Sequence, residues 1–106
     1  MDAKIKTVLA EIKASLEAIY GNRFKGVYLF GSYAPGEADT ESDLDILVVL
    51  DDFNHYAGEI DRTGQLIADL SLEHGISISE VFVKEHQWRH GDTPFLLNVR
   101  DEAVPV

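Results

Sequence analysis

Five consecutive apolar residues, 46 to 50 (ILVVL), are flanked by Asp43 and Asp45 on one side and by Asp51 and Asp52 on the other. Three of the five are β-branched, and the run lacks the polar alternation of a half-solvated strand. It therefore reads as the end of a strand over 43–50 that is buried on both faces. Such a strand needs a layer above and a layer below, and the rest of the sequence supplies candidates. Ile5, Val8, Leu9, Ile12, Leu16 and Ile19 follow a 3.6-residue period from an N-capping Asp2 to about Tyr20, and Gly21-Asn22 ends the pattern. Ile60, Ile67 and Leu70 mark a second helix over about 54–74, stopped by Gly75, and Thr93-Pro94 opens a last one to about Asp101. Residues 25–30 (KGVYLF) and 76–83 (ISISEVFV) read as further strands, with a short helical turn at 32–36. The order helix, strand, strand, helix, strand, helix predicts an α/β or α+β layer, a small sheet with helices packed on it, in one domain over 1–106.

The charge distribution narrows the partners. Nineteen acids against nine Lys and Arg give a net charge of −10, a poor match for a long nucleic acid, whose binding depends on basic side chains displacing counterions. Residues 26–61 hold nine of the acids and none of the bases. A phosphate bound there would need a metal ion or backbone N–H groups. Cysteine is absent, which removes disulfides and thiolate chemistry. No apolar run approaches the roughly 18 to 20 residues of a membrane span, and no signal-peptide core precedes the first helix, so the expectation is a cytoplasmic protein without a membrane partner.

The chemistry concentrates between Gly31 and Asp45. Asp43 and Asp45 stand two apart on a predicted strand, so both carboxylates face one side, roughly 7 Å apart by backbone spacing, while Leu44 faces the other. A divalent cation would relieve their repulsion. Oxygen ligands of this kind suit Mg²⁺, which completes its shell with water and substrate phosphates. Upstream, Gly31 ends a strand and permits close backbone approach, and the turn after it presents N–H groups and the Ser32 hydroxyl to an anion. Gly36 lets the connecting loop turn back. Together the two devices point to phosphoryl or nucleotidyl transfer.

Gly31-Ser32, ten residues, then Asp43-Leu44-Asp45 and an apolar strand resembles the signature of the minimal nucleotidyltransferases of the DNA polymerase β superfamily, with Ala34, Gly36 and Ser42 matching in the flanks. The resemblance implies the nucleotidyltransferase fold over roughly residues 5–104. It also implies that Ser32 contacts a nucleotide phosphate, that Asp43 and Asp45 ligate Mg²⁺, and that ATP is the substrate. Stand-alone proteins of this size resemble antitoxins paired with a helical HEPN-domain toxin, to which some transfer AMP; a homo- or hetero-oligomer fits that setting. The family usually carries Arg where this chain has Pro35. It also places a third acid on the third strand. Glu80 is the only acid there and is the candidate catalytic residue, whereas Ser77 occupies a place where relatives often carry Asp. Alternation puts Ser77 and Ser79 on one face and Glu80 on the other, so the two assignments exclude each other without a bulge.

Other patterns carry less. Gly31 and Gly36 imitate half of a P-loop, but Glu37-Ala38 replaces its Lys-Ser/Thr. Asp39, Glu41, Asp43 and Asp45 imitate a calcium loop, but Leu50 stands where its bidentate Glu belongs. His55, His74, His86 and His90 share no metal-binding spacing and read as surface or capping residues. Trp88, Phe95 and Leu96 read as core or partner-facing residues rather than as a base-stacking platform. The expected activity is Mg²⁺-dependent transfer of AMP to a partner protein; the alternative is an inactive module of the same fold that neutralises its partner by binding alone.

Overall fold

The computed structural model describes residues 2–39 and 42–106. Helix α1 spans Ala3–Tyr20, and the Asp2 carboxylate accepts the Lys4 N–H at 2.6 Å as its cap. Ile5, Val8, Leu9, Ile12 and Leu16 are buried as their spacing predicts. The stripe closes on Tyr20, however, and Ile19 is left 40% exposed. Tyr20 lies four residues beyond Leu16 and returns to the same face, whereas Ile19 falls at its edge.

Three seven-residue strands follow: β1 at Phe24–Phe30, β2 at Leu44–Leu50 and β3 at Ile78–Lys84. β1 runs antiparallel to β2, and β2 runs parallel to β3. A parallel pair needs a crossover, and helix α2, Tyr56–His74, supplies it. Gly75 closes α2 with its N–H on the Ser71 carbonyl. Two elements have no counterpart in the sequence pattern. Helix α3, Glu85–His90, is one polar turn and a half with no apolar period to reveal it. Strand β4, Val104–Pro105, pairs with β1 and gives the sheet the order β3-β2-β1-β4. Between them lies helix α4, Pro94–Glu102, capped by the Thr93 hydroxyl on the Leu96 N–H and begun by its proline, as expected.

The burial of β2 on both faces is borne out. Leu44, Ile46, Val48 and Leu50 join Val27, Leu29 and Phe82 in a core closed by α1 and α2. Leu47 and Val49 face the other way and pack with Val83 and with Leu96 and Val99 of α4. Trp88 of α3 lies 4.6 Å from the Tyr28 ring on that second face, a core role. Each such side chain removed from water contributes about 1.5 to 3 kcal/mol, so β2 is the most firmly held strand. Among the described residues no helix is long and apolar enough to cross a membrane.

Candidate functional site

The register places the site. Phe30, the last residue of β1, is the antiparallel partner of Asp45, and Leu29 is that of Ile46. Asp45 therefore shares the face of Leu47, Tyr28 and Phe30, at the end of the sheet where β1 stops and β2 begins. It is partly buried; Asp43, just before the strand, is exposed. Beyond Phe30 the chain makes a single 3₁₀ turn, Gly31–Tyr33, in which the Ala34 N–H reaches the Gly31 carbonyl at 3.1 Å and the Glu37 N–H the Ser32 carbonyl at 2.9 Å. Ser32 is exposed at its tip.

Gly31 has φ +70°, and a Cβ there would collide with Asp45 Oδ2 and sit 3.1 Å from its Cγ. Only glycine satisfies both the left-handed backbone and the missing volume. Gly31, Ser32, Asp43 and Asp45 are thus brought together. Burial first, and the charge of Asp43 second, push the Asp45 carboxyl above the ordinary carboxylate range. Two carboxylates in mutual repulsion beside this turn form an oxygen donor set that fits a hard divalent cation.

Glu80 is not part of this constellation. It pairs with Ile46, not Asp45, and so faces α2 on the opposite side of the sheet. There the Thr63 hydroxyl donates to Glu80 Oε1 at 2.5 Å, and Oε2 is buried with no hydrogen-bond partner. Burial pushes this carboxyl upward, with the Thr63 bond offsetting part of the rise. Thr63 Oγ1 also lies 3.1 Å from the Glu59 carbonyl, so its one proton is shared between two acceptors. The alternation without a bulge in β3 leaves Ser79, the partner of Asp45, on the Asp45 face, with Ser77 beyond it; the Leu44 N–H bonds the Ser77 carbonyl at 2.8 Å.

A cleft of about 950 Å³ opens beside Asp43, lined by Lys4 and Ile5 of α1, Tyr33, Ser42, Ile76 and Ser77 among others. Lys4 is the residue that sequence reasoning missed: the acidic stretch has no base of its own, and the fold brings one from the first turn of α1. Nothing local in the sequence signals this. Of the calcium-like acids, Glu41 lies outside the described residues. His74, read as a surface or capping residue, instead bridges α2 to α1 with Nε2 2.8 Å from Glu11 Oε2, and Glu73 completes a group whose ligand atoms lie within 4.8 Å of one another.

The nucleotidyltransferase domain family matches residues 9–92. The chain belongs to that family. Two proteins of Methanocaldococcus jannaschii, each named "Putative protein adenylyltransferase", are 38% identical over 87 residues (76% of this chain, 80% of theirs) and 30% identical over 82 residues (77% and 82%). A structure described as a "putative minimal nucleotidyltransferase" superposes with a TM-score of 0.62 at 29% identity, covering 100% of this chain and 97% of its own. The crystal structure of a toxin-antitoxin with AMP-PNP superposes at TM-score 0.64 and 22% identity, covering 91% of this chain and 69% of that one, a likeness of fold. The nucleotidyltransferase domain is thus of the minimal kind within the polymerase β superfamily, with a mixed four-stranded sheet.

Proposed function

We propose that this nucleotidyltransferase domain transfers AMP from ATP to a partner protein, as the antitoxin half of a pair with a helical HEPN-type toxin. The observation that carries the reading is the meeting of Asp43 and Asp45 with the Gly31–Tyr33 turn. Asp43 and Asp45 would hold Mg²⁺, which supplies Lewis-acid neutralisation of phosphate charge when bound. The turn's N–H groups and the Ser32 hydroxyl bind phosphate oxygens, and Lys4 in the adjoining cleft adds positive charge toward the tail of the triphosphate. An acceptor hydroxyl oxygen attacks the α-phosphorus. The bond from that phosphorus to the bridging oxygen breaks, pyrophosphate leaves with the electron pair, and the hydroxyl proton is lost. The names of the Methanocaldococcus relatives and the toxin-antitoxin neighbour support a protein acceptor.

One observation favours a second reading. The Asp45 face of β3 carries Ser79 where a third acid would take up that proton, and Glu80 faces away. A domain lacking this base works slowly or neutralises its partner by binding alone. Incubation with α-labelled ATP, Mg²⁺ and the product of the neighbouring gene as partner separates the readings. Label on the partner that disappears with Asp43→Asn plus Asp45→Asn supports transfer. An unlabelled partner, neutralised equally by that double variant, supports binding alone, and failure of both overturns the assignment.

A further inference from the structure

We infer that Phe95, standing on Phe30, is the shelf on which the base of the nucleotide stacks; this rests on the nucleotidyltransferase reading of the same site. Phe30 is the cross-strand partner of Asp45, which places their Cβ atoms on one face about 5 Å apart. The Phe95 ring meets Phe30 edge-on at 5.9 Å between centroids, yet Phe95 remains 44% exposed. An exposed aromatic ring is therefore linked to Asp45 through one intervening side chain, Phe30.

Its position and rigidity suit the base and not the phosphates. Phe30 and Phe95 lie on the face covered by α3 and α4, whereas the cleft with Lys4 lies toward α1. A ligand with its α-phosphate at Asp45 and its tail over the Gly31–Tyr33 turn has its ribose and base left to place on the other side. Because Phe30 directly precedes Gly31, the ring on which Phe95 stands and the phosphate turn are one piece of backbone. Phe95 is also fixed in advance. The Thr93 cap and Pro94 start α4 at this point, and Arg100 ties the helix back through the Trp88 carbonyl at 2.8 Å and the Gly91 carbonyl. Stacking on a preset ring needs no hydrogen-bond readout, so the shelf accepts any base.

The test is calorimetric binding of a non-hydrolysable ATP analogue, its GTP counterpart and inorganic tripolyphosphate, each with Mg²⁺. Phe95→Ala should weaken both nucleotides roughly tenfold to a hundredfold and leave tripolyphosphate unchanged, and Phe95→Tyr should restore them; the Trp88 near-ultraviolet signal reports that α3 and α4 remain packed. Unchanged nucleotide affinity in Phe95→Ala overturns the inference, as does a loss confined to AMP transfer, which would assign the ring to the protein acceptor. An equal loss for tripolyphosphate overturns it too. Asp43→Asn plus Asp45→Asn is the separate control: if it leaves all three ligands bound as tightly, the nucleotidyltransferase reading itself fails.

Discussion

Replacing Gly31 by alanine separates the local backbone from the site it supports. Two costs add there. A non-glycine residue at φ +70° loses about 1 to 2 kcal/mol to the left-handed backbone. The new methyl would also occupy the space of Asp45 Oδ2, so either the carboxylate leaves its position or the ends of β1 and β2 part. Gly36 is the matched control, because it has φ +77° and nothing within 4 Å of a Cβ. Gly36→Ala should therefore cost the backbone term alone, about 1 to 2 kcal/mol, and leave triphosphate binding intact. Gly31→Ala should cost about 1 to 3 kcal/mol more and abolish metal-dependent binding. Urea unfolding gives both stabilities, and calorimetry with an ATP analogue and Mg²⁺ gives the binding. If the two variants unfold at the same urea concentration and bind alike, the contact between Gly31 and Asp45 does not govern the site.

Glu80→Gln should leave AMP transfer unchanged, since the side chain faces α2, and a transfer rate reduced more than tenfold would return Glu80 to the reaction. It should also alter the pH dependence of folding. A carboxyl raised by burial adds stability that is complete below its unfolded value of about 4.3 and is lost as pH rises through the folded value, so the variant gains on the parent from acid toward neutral pH; urea midpoints that diverge the other way contradict this. Tyr20→Phe removes the 2.8 Å bond from the buried Tyr20 hydroxyl to Glu59 Oε1 and should cost about 1 to 3 kcal/mol, and an unchanged urea midpoint would refute it.

The layered fold was legible because β2 cannot be solvated on either face and the helices that cover it keep a 3.6-residue period. The meeting of Gly31, Ser32, Asp43 and Asp45 was legible because the connection over 31–43 joins two strands that pair antiparallel, which returns its ends to one place. Glu80 was misplaced for a physical reason. Residue type favoured the acid, period-2 alternation favoured the serines, and the parallel register with β2, which the sequence does not print, settled the matter for alternation. Lys4 carries no local signal as a site residue, and Phe95 reads from sequence as core or partner-facing rather than base-stacking, because each is brought toward this end of the sheet only by the packing of a helix distant in sequence. α3 escaped notice because six mostly polar residues have no period to read.

The most direct measurement of the central claim is Mn²⁺ binding, in place of Mg²⁺, followed by electron paramagnetic resonance with a non-hydrolysable ATP analogue present. Saturable nucleotide-dependent binding that is lost in Asp45→Asn and kept in Glu80→Gln and His74→Asn is the predicted result. Binding that persists undiminished after both Asp43 and Asp45 are changed to Asn would contradict it.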